Sequence, residues 1–230
     1  MVLNALDVRN GVLLGSDASS TNGLLGEDLV LGCLVNYFSE TVDSTSRVIG
    51  YKCKRPGRKG NRLDAWVLAG EILYQVEVKN WSAHSYGGRV LSDTVSLNSE
   101  EAQEYNMDCW NYFITNRAIH DPKKGICKAW NYRMTPPKTI KFKEIVPLVA
   151  FWRLIFDPNT TPGPMSSFPV ESADFSSCML FSASAFLRQK NSTEITLKLP
   201  RFFSRMRSIR KLLSDESWTH LSDVSTEDVI

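Results

Sequence analysis

Apolar positions recur along this chain with two different periods, and each change of period marks an element. Across 23–38, Leu24, Leu31, Leu34, Val35 and Phe38 fall on one stripe of a 3.6-residue helix, capped by Thr21 or Asn22 after a small polar loop at 16–22. Arg47–Lys54 reads as a short strand, and 56–61 (PGRKGN) as a basic turn. Residues 62–68 and 72–79 read as two strands joined around Ala69-Gly70-Glu71. A loop rich in Ser and Gly follows at 80–97. A helix is then expected over 99–115, with Ser99 as cap and Glu100 and Glu101 in its first turn. The continuous apolar run 145–156 suits a buried strand. A loop at 157–164, a strand at 178–182 and a short helix at 184–189 complete the core. The resulting order (helix, three strands, helix, strand) predicts an α/β fold with a mixed central sheet flanked by helices.

Composition narrows this picture only a little. A chain of 230 residues with 43% hydrophobic and 23% charged residues is ordinary for a globular domain. One domain over 1–230 is expected, with a core at about 20–190, a basic helix at about 201–213 and a polar, acidic tail at 215–230. Five cysteines without a CxxC pair argue against a disulfide framework or a zinc site and for a reducing, cytoplasmic setting. The first residues lack a signal-peptide pattern, and no stretch approaches 18 uninterrupted apolar residues, so no membrane partner is expected.

The chemistry is concentrated in LDAWVLAGEILYQVEVKN, residues 63–80. With Gly70-Glu71 as a two-residue turn, Gly first as a type II′ turn prefers, Ala69 pairs with Ile72 and Trp66 with Gln75. That register sets Asp64 directly opposite Glu77 on one face and aligns the apolar residues on the other. Carboxylates so placed stand roughly 5 Å apart at Cβ and repel, so a compensating charge is required. A hard divalent cation supplies one, and Lys79 adds a positive charge on the same face. Glu27 lies within the apolar stripe of the first helix, where a carboxylate is costly unless paired or coordinated.

These residues resemble the PD-(D/E)xK nuclease superfamily, whose fold is the restriction-endonuclease-like αβββαβ core. The motif covers Gly26-Glu27, Asp64, and Glu77-Val78-Lys79 after twelve intervening residues. Leu63 stands where the motif's name has Pro. Some members carry Q-x-x-x-Y on the next helix; here Glu101 stands four before Tyr105, and Gln103 is displaced by two.

The resemblance implies catalytic Asp64, Glu77, Lys79 and Glu27, with metal held by Asp64, Glu77 and the Val78 main-chain carbonyl. It implies Mg²⁺, with Mn²⁺ able to substitute, and hydrolysis of DNA phosphodiesters, as an endonuclease of restriction, defence or DNA-processing type. Lys79 would orient the attacking water or stabilise the transition state. The alternative is a catalytically inactive DNA-binding or assembly module on the same fold.

Basic residues gather before Asp64, with Lys54, Arg58, Lys59 and Arg62 as candidate phosphate contacts. Further clusters stand at Lys138, Lys141 and Lys143 and in the Arg-rich stretch after Pro200. Gln103, and His84 and Tyr86 in the loop after Lys79, are weaker candidates. A homodimer is one way for a single site per chain to cut both strands.

Overall fold

The computed structural model describes residues 16–54, 62–79, 91–92, 94–119, 126–190, 195–199 and 201, with side chains described for 26–52, 63–79, 91–92, 94–115, 126–190, 195–199 and 201. The elements run α1 (Ser16–Thr41), β1 (Arg47–Lys54), β2 (Arg62–Ala69), β3 (Ile72–Lys79), α2 (Glu100–Ile119), a 3₁₀ turn (Ile126–Ala129), β4 (Glu144–Phe151), β5 (Met165–Pro169), β6 (Ser177–Ser182) and α3 (Ala183–Gln189). The strands form one six-stranded mixed sheet in the order β1-β2-β3-β4-β6-β5. β1, β2 and β3 form an antiparallel meander, β4 is parallel to β3 and β6 parallel to β4, and β5 closes the edge antiparallel to β6.

Both faces of the sheet are covered. On one, α1 contributes Leu31, Leu34, Val35 and Phe38 to a core with Ala65, Val67, Tyr74, Val76, Val78, Leu148 and Ala150. On the other, α2 and the 3₁₀ turn bring Tyr105, Cys109, Phe113, Ala129 and Trp130 against Val149 and Phe151. Strand alternation assigns these faces: Val76 and Val78 point to α1, while Gln75, Glu77 and Lys79 point to the α2 side. Cys33, Cys109, Cys127 and Cys178 are free thiols buried in these cores. Burial pushes the Cys33 and Cys109 thiols up to about 12, which makes both inert as nucleophiles at neutral pH.

The hairpin adopts the expected register, with Ala69 opposite Ile72 and Trp66 opposite Gln75. Gly70 has φ +57, and no positive φ occurs at Glu71, as a type II′ turn requires. Ser99 caps α2, its Oγ accepting from the Ala102 amide at 3.2 Å.

Four expectations are corrected. Residues 16–22 are the first turns of α1 and not a loop; extending a helix already packed downstream costs little per residue. The apolar stripe drawn for α1 is too narrow, since all of 28–35 is buried. The sheet covers one side, and a Cβ at Gly32 would meet Leu199 at 2.5 Å on another. The run 145–156 is not one strand, because β4 ends at Phe151. Its buried continuation leaves the ladder and finds other partners for its backbone: Asn106 accepts from the Phe156 amide at 2.8 Å and donates to its carbonyl at 3.1 Å, and Ser182 Oγ donates to the Arg153 carbonyl at 2.8 Å. Finally, β5 was not foreseen; its polar residues and Pro169 are tolerated at an edge, where only Phe168 is buried.

Candidate active site

The β2–β3 ladder stops short of the candidate site. Its last pair is Ala65–Val76, yet β2 continues beside β1 through Leu63–Cys53 and Arg62–Lys54. The sheet therefore forks, with β1 and β2 leaving β3 at Asp64. In the gap, Asp64 Oδ2 accepts the Val78 amide hydrogen at 2.7 Å, a side chain standing in for the missing ladder bond. The Ala65–Val76 register, carried one residue further, brings Asp64 to the level of Glu77, but the ladder bonding ends there. The two are neighbours at the fork, but Asp64 turns to the Val78 backbone instead of extending a cross-strand pair. On the other branch, Lys52 lies between the Tyr51–Ala65 and Cys53–Leu63 pairs and has φ +59. A left-handed lysine inside a strand costs about 1–2 kcal/mol, and it falls at the level where the strands bend away.

Successive residues of a strand direct their N–H and C=O groups to opposite neighbours, and both groups of one residue point the same way. The Val78 amide points to Asp64, so the Val78 carbonyl opens into the same gap. The fork thus gathers two carboxylates and a carbonyl, those of Asp64, Glu77 and Val78.

Glu77 is 1% exposed. Its Oε1 accepts from Lys79 Nζ at 2.6 Å and is 2.7 Å from Lys128 Nζ, while its Oε2 is buried without a hydrogen-bond partner. Burial pushes the Glu77 carboxyl up to about 7, the Asp64 charge adds to the rise, and the two lysines oppose it. The lysine heads lie toward the surface, at 19% and 22% exposure.

Lys128 was missed from the sequence. It sits on the 3₁₀ turn, a segment with no periodic pattern, 49 residues beyond Lys79. The signal that pointed to it is Gln75, a polar residue on the same strand face as Glu77. Fully buried, Gln75 donates from Nε2 to the Ala129 carbonyl at 2.7 Å and the Tyr132 carbonyl at 2.9 Å. Its Oε1 accepts the Met134 amide at 3.0 Å. Three bonds from one amide pin the segment that carries Lys128 over Glu77.

Glu27 is half-buried on α1, in the layer across the sheet. Phe38 stacks on Tyr74 at 4.6 Å and Val42 lies against Gly70, so α1 runs antiparallel to β3. Eleven helical residues back from Phe38 is about 16 Å, and five strand residues on from Tyr74 is about 17 Å. Glu27 therefore stands at the fork end of the sheet. Asp28, beside it, is the more buried acid at 5% exposure.

The other candidates separate from this site. Gln103 donates from Nε2 to the Leu97 carbonyl at 3.0 Å, a local bond at the start of α2. Lys143 pairs with Glu71, and Lys138 and Lys141 are exposed nearby in sequence. Since Ile72 is in register with Glu144, this cluster sits at the hairpin turn, the end of β3 remote from Glu77, and does not reach the fork. Arg58, Lys59, His84 and Tyr86, the side chains of Lys54 and Arg62, and the basic stretch beyond 201 lie outside the described residues.

The residues at the fork fit a hard cation in kind: carboxylates, a main-chain carbonyl and one buried carboxylate oxygen without a partner. Among the described residues no three His, Cys, Asp or Glu side chains converge on one point, so any ion would complete its shell with water or substrate. The two lysines also change the charge account drawn from sequence, because they already offset the two carboxylates. Among the described residues, no helix is long and apolar enough to cross a membrane. The chain matches no family model, no curated protein and no solved structure.

Proposed function

We propose that this protein is a Mg²⁺-dependent deoxyribonuclease with a restriction-endonuclease-like core, acting as an endonuclease on DNA. One observation carries the reading. At a fork in the sheet, Asp64 is fixed on the Val78 amide beside a buried Glu77 whose second oxygen has no hydrogen-bond partner. A carboxylate buried at such cost and left incompletely bonded suits a ligand that is not part of the chain. Asp64, Glu77 and the Val78 carbonyl would hold the ion. A divalent ion held there would lower the pKa of a bound water and offset charge building on the phosphate. The Val78 amide keeps the Asp64 carboxylate aimed into the gap. Lys79, anchored on Glu77, presents its ammonium at the mouth, where it orients the attacking water or meets the phosphate oxygens. Glu27 approaches the same end from α1.

Supercoiled plasmid incubated with Mg²⁺ tests this. Wild type should nick or linearise it, and Mn²⁺ should substitute. Asp64→Asn, Glu77→Gln and Lys79→Ala should each lose cleavage with the fold retained. Lys79→Ala cutting as fast as wild type would refute the assignment.

A second reading, an inactive nuclease-fold module that binds DNA, draws on Lys128. With two ammoniums on Glu77 Oε1, the site is charge-balanced without an ion. Calorimetry separates the two readings, since the inactive module would show no Mg²⁺ binding at any concentration that supports folding.

A further inference from the structure

We propose that Lys128 is a binding residue of this site: it holds Glu77 in the ion-free state, yields the carboxylate to a divalent cation, and then serves as a phosphate contact. This rests on the metal-site reading above and adds a residue and a sequence of contacts to it.

Glu77 Oε1 accepts from two ammoniums while Oε2 accepts from none. One lysine would satisfy the carboxylate's need for a countercharge as a surface pair does; a second on the same oxygen places two like charges side by side. That arrangement persists only while the buried carboxylate has no other cation. A divalent ion on Glu77 brings two positive charges beside both ammoniums, and one must move. Lys79 is tied to the strand two residues from Glu77 on the same face. Lys128 reaches in from the 3₁₀ turn, and its head is already partly at the surface. The turn itself stays put, because Gln75 bonds the Ala129 and Tyr132 carbonyls and the Met134 amide from the rigid sheet. A Lys128 displaced from Glu77 therefore moves only at its head and stays fixed at its base, beside the mouth of the fork. Its natural anionic partner there is a phosphodiester oxygen. The exchange makes and breaks ion pairs only.

Mn²⁺ binding, followed by the electron paramagnetic resonance signal of the free ion without DNA, tests the exchange. Lys128→Gln should bind Mn²⁺ about tenfold more tightly than wild type, because a competing cation is gone. Lys128→Arg should bind as wild type does, and Glu77→Gln should lose binding. Equal or weaker Mn²⁺ affinity in a folded Lys128→Gln overturns the inference. Wild type that binds no Mn²⁺, or Glu77→Gln that binds normally, instead refutes the metal site itself.

A measurement on the unaltered chain guards against a variant that does not fold. In protein with ¹⁵N-labelled lysine side chains, Mg²⁺ should move the Lys128 Nζ resonance, and an unmoved resonance at saturating Mg²⁺ overturns the exchange. For the phosphate contact, duplex binding in Ca²⁺ is measured across salt concentrations. Lys128→Gln should lower the slope of log affinity against log salt by about 1, and an unchanged slope removes the contact from the proposal.

Discussion

Gln75 and Glu77 are two residues apart on one strand, face the same layer and are equally hidden from water, yet they are treated in opposite ways. Gln75 is neutral, and its amide is bonded at both ends to a segment distant in sequence. Glu77 is ionisable, bears two ammoniums on one oxygen and has no hydrogen bond on the other. A buried amide with its valences filled adds rigidity and fixes one arrangement of the chain. A buried carboxylate left partly unfilled is a standing cost to the fold, kept for something outside it. Gln75 is thus the fully bonded half of this face and Glu77 the half on which the proposed chemistry rests. The first positions Lys128 for the second.

The sharpest way to break the contrast is Gln75→Leu. It strands two carbonyls and an amide in the core, each worth about 1–3 kcal/mol when unsatisfied, so a loss of about 3 kcal/mol or more is expected in urea unfolding. A loss under about 1 kcal/mol would show that the 126–134 segment is not held by this side chain.

The next effect is one of pH. Burial raises the Glu77 carboxyl from 4.5 in the unfolded chain to about 7 in the fold. The folded state therefore holds the extra proton between these values. Its contribution to stability is fully present below about 4.5 and is lost as pH rises through about 7. At about 1.4 kcal/mol per pKa unit, the loss is at most about 3.5 kcal/mol. Unfolding in EDTA across this window should show the fall, and Glu77→Gln should flatten it. A wild-type profile that rises from pH 5 to 7 would contradict the assignment to Glu77.

Glu77→Gln at pH 8 should itself change stability by no more than about 1 kcal/mol, or raise it, since it removes a buried charge and leaves two lysines able to turn to solvent. The same substitution should eliminate cleavage. Stability held and activity lost is the signature that separates Glu77 from Gln75.

The sequence made the hairpin legible because a two-residue turn fixes register, and register fixes faces. Strand alternation puts Gln75, Glu77 and Lys79 on one side, and the turn at Gly70 sets which β2 residues stand opposite them. The fork was not legible, because it arises where a side chain, Asp64, takes over a ladder bond, and no periodicity records that substitution. Lys128 was hidden for a related reason: its place is set by contacts of Gln75 with a segment lacking regular repeat. Glu27 was reached by a helical stripe that the fold shows to be buried more widely, so its neighbour Asp28 deserved equal notice. Local patterns fixed the elements, while the residues that complete the site depend on contacts between distant segments.

The smallest effect comes from the other end of the same strand. Lys143 and Glu71 also form an ion pair, beside the start of β3, but their side chains are 74% and 66% exposed, against 19% and 2% for Lys79 and Glu77. Water already solvates the first pair, so Lys143→Ala should cost less than about 0.5 kcal/mol and fade further in salt. It should leave plasmid cleavage at the wild-type rate, whereas Lys79→Ala should abolish it. The two lysines thus differ because Lys143 faces bulk water and Lys79 faces a carboxylate that water does not reach. If Lys143→Ala slowed cleavage as Lys79→Ala does, the chemistry would not be confined to the fork, and the turn end would have to contact DNA as well.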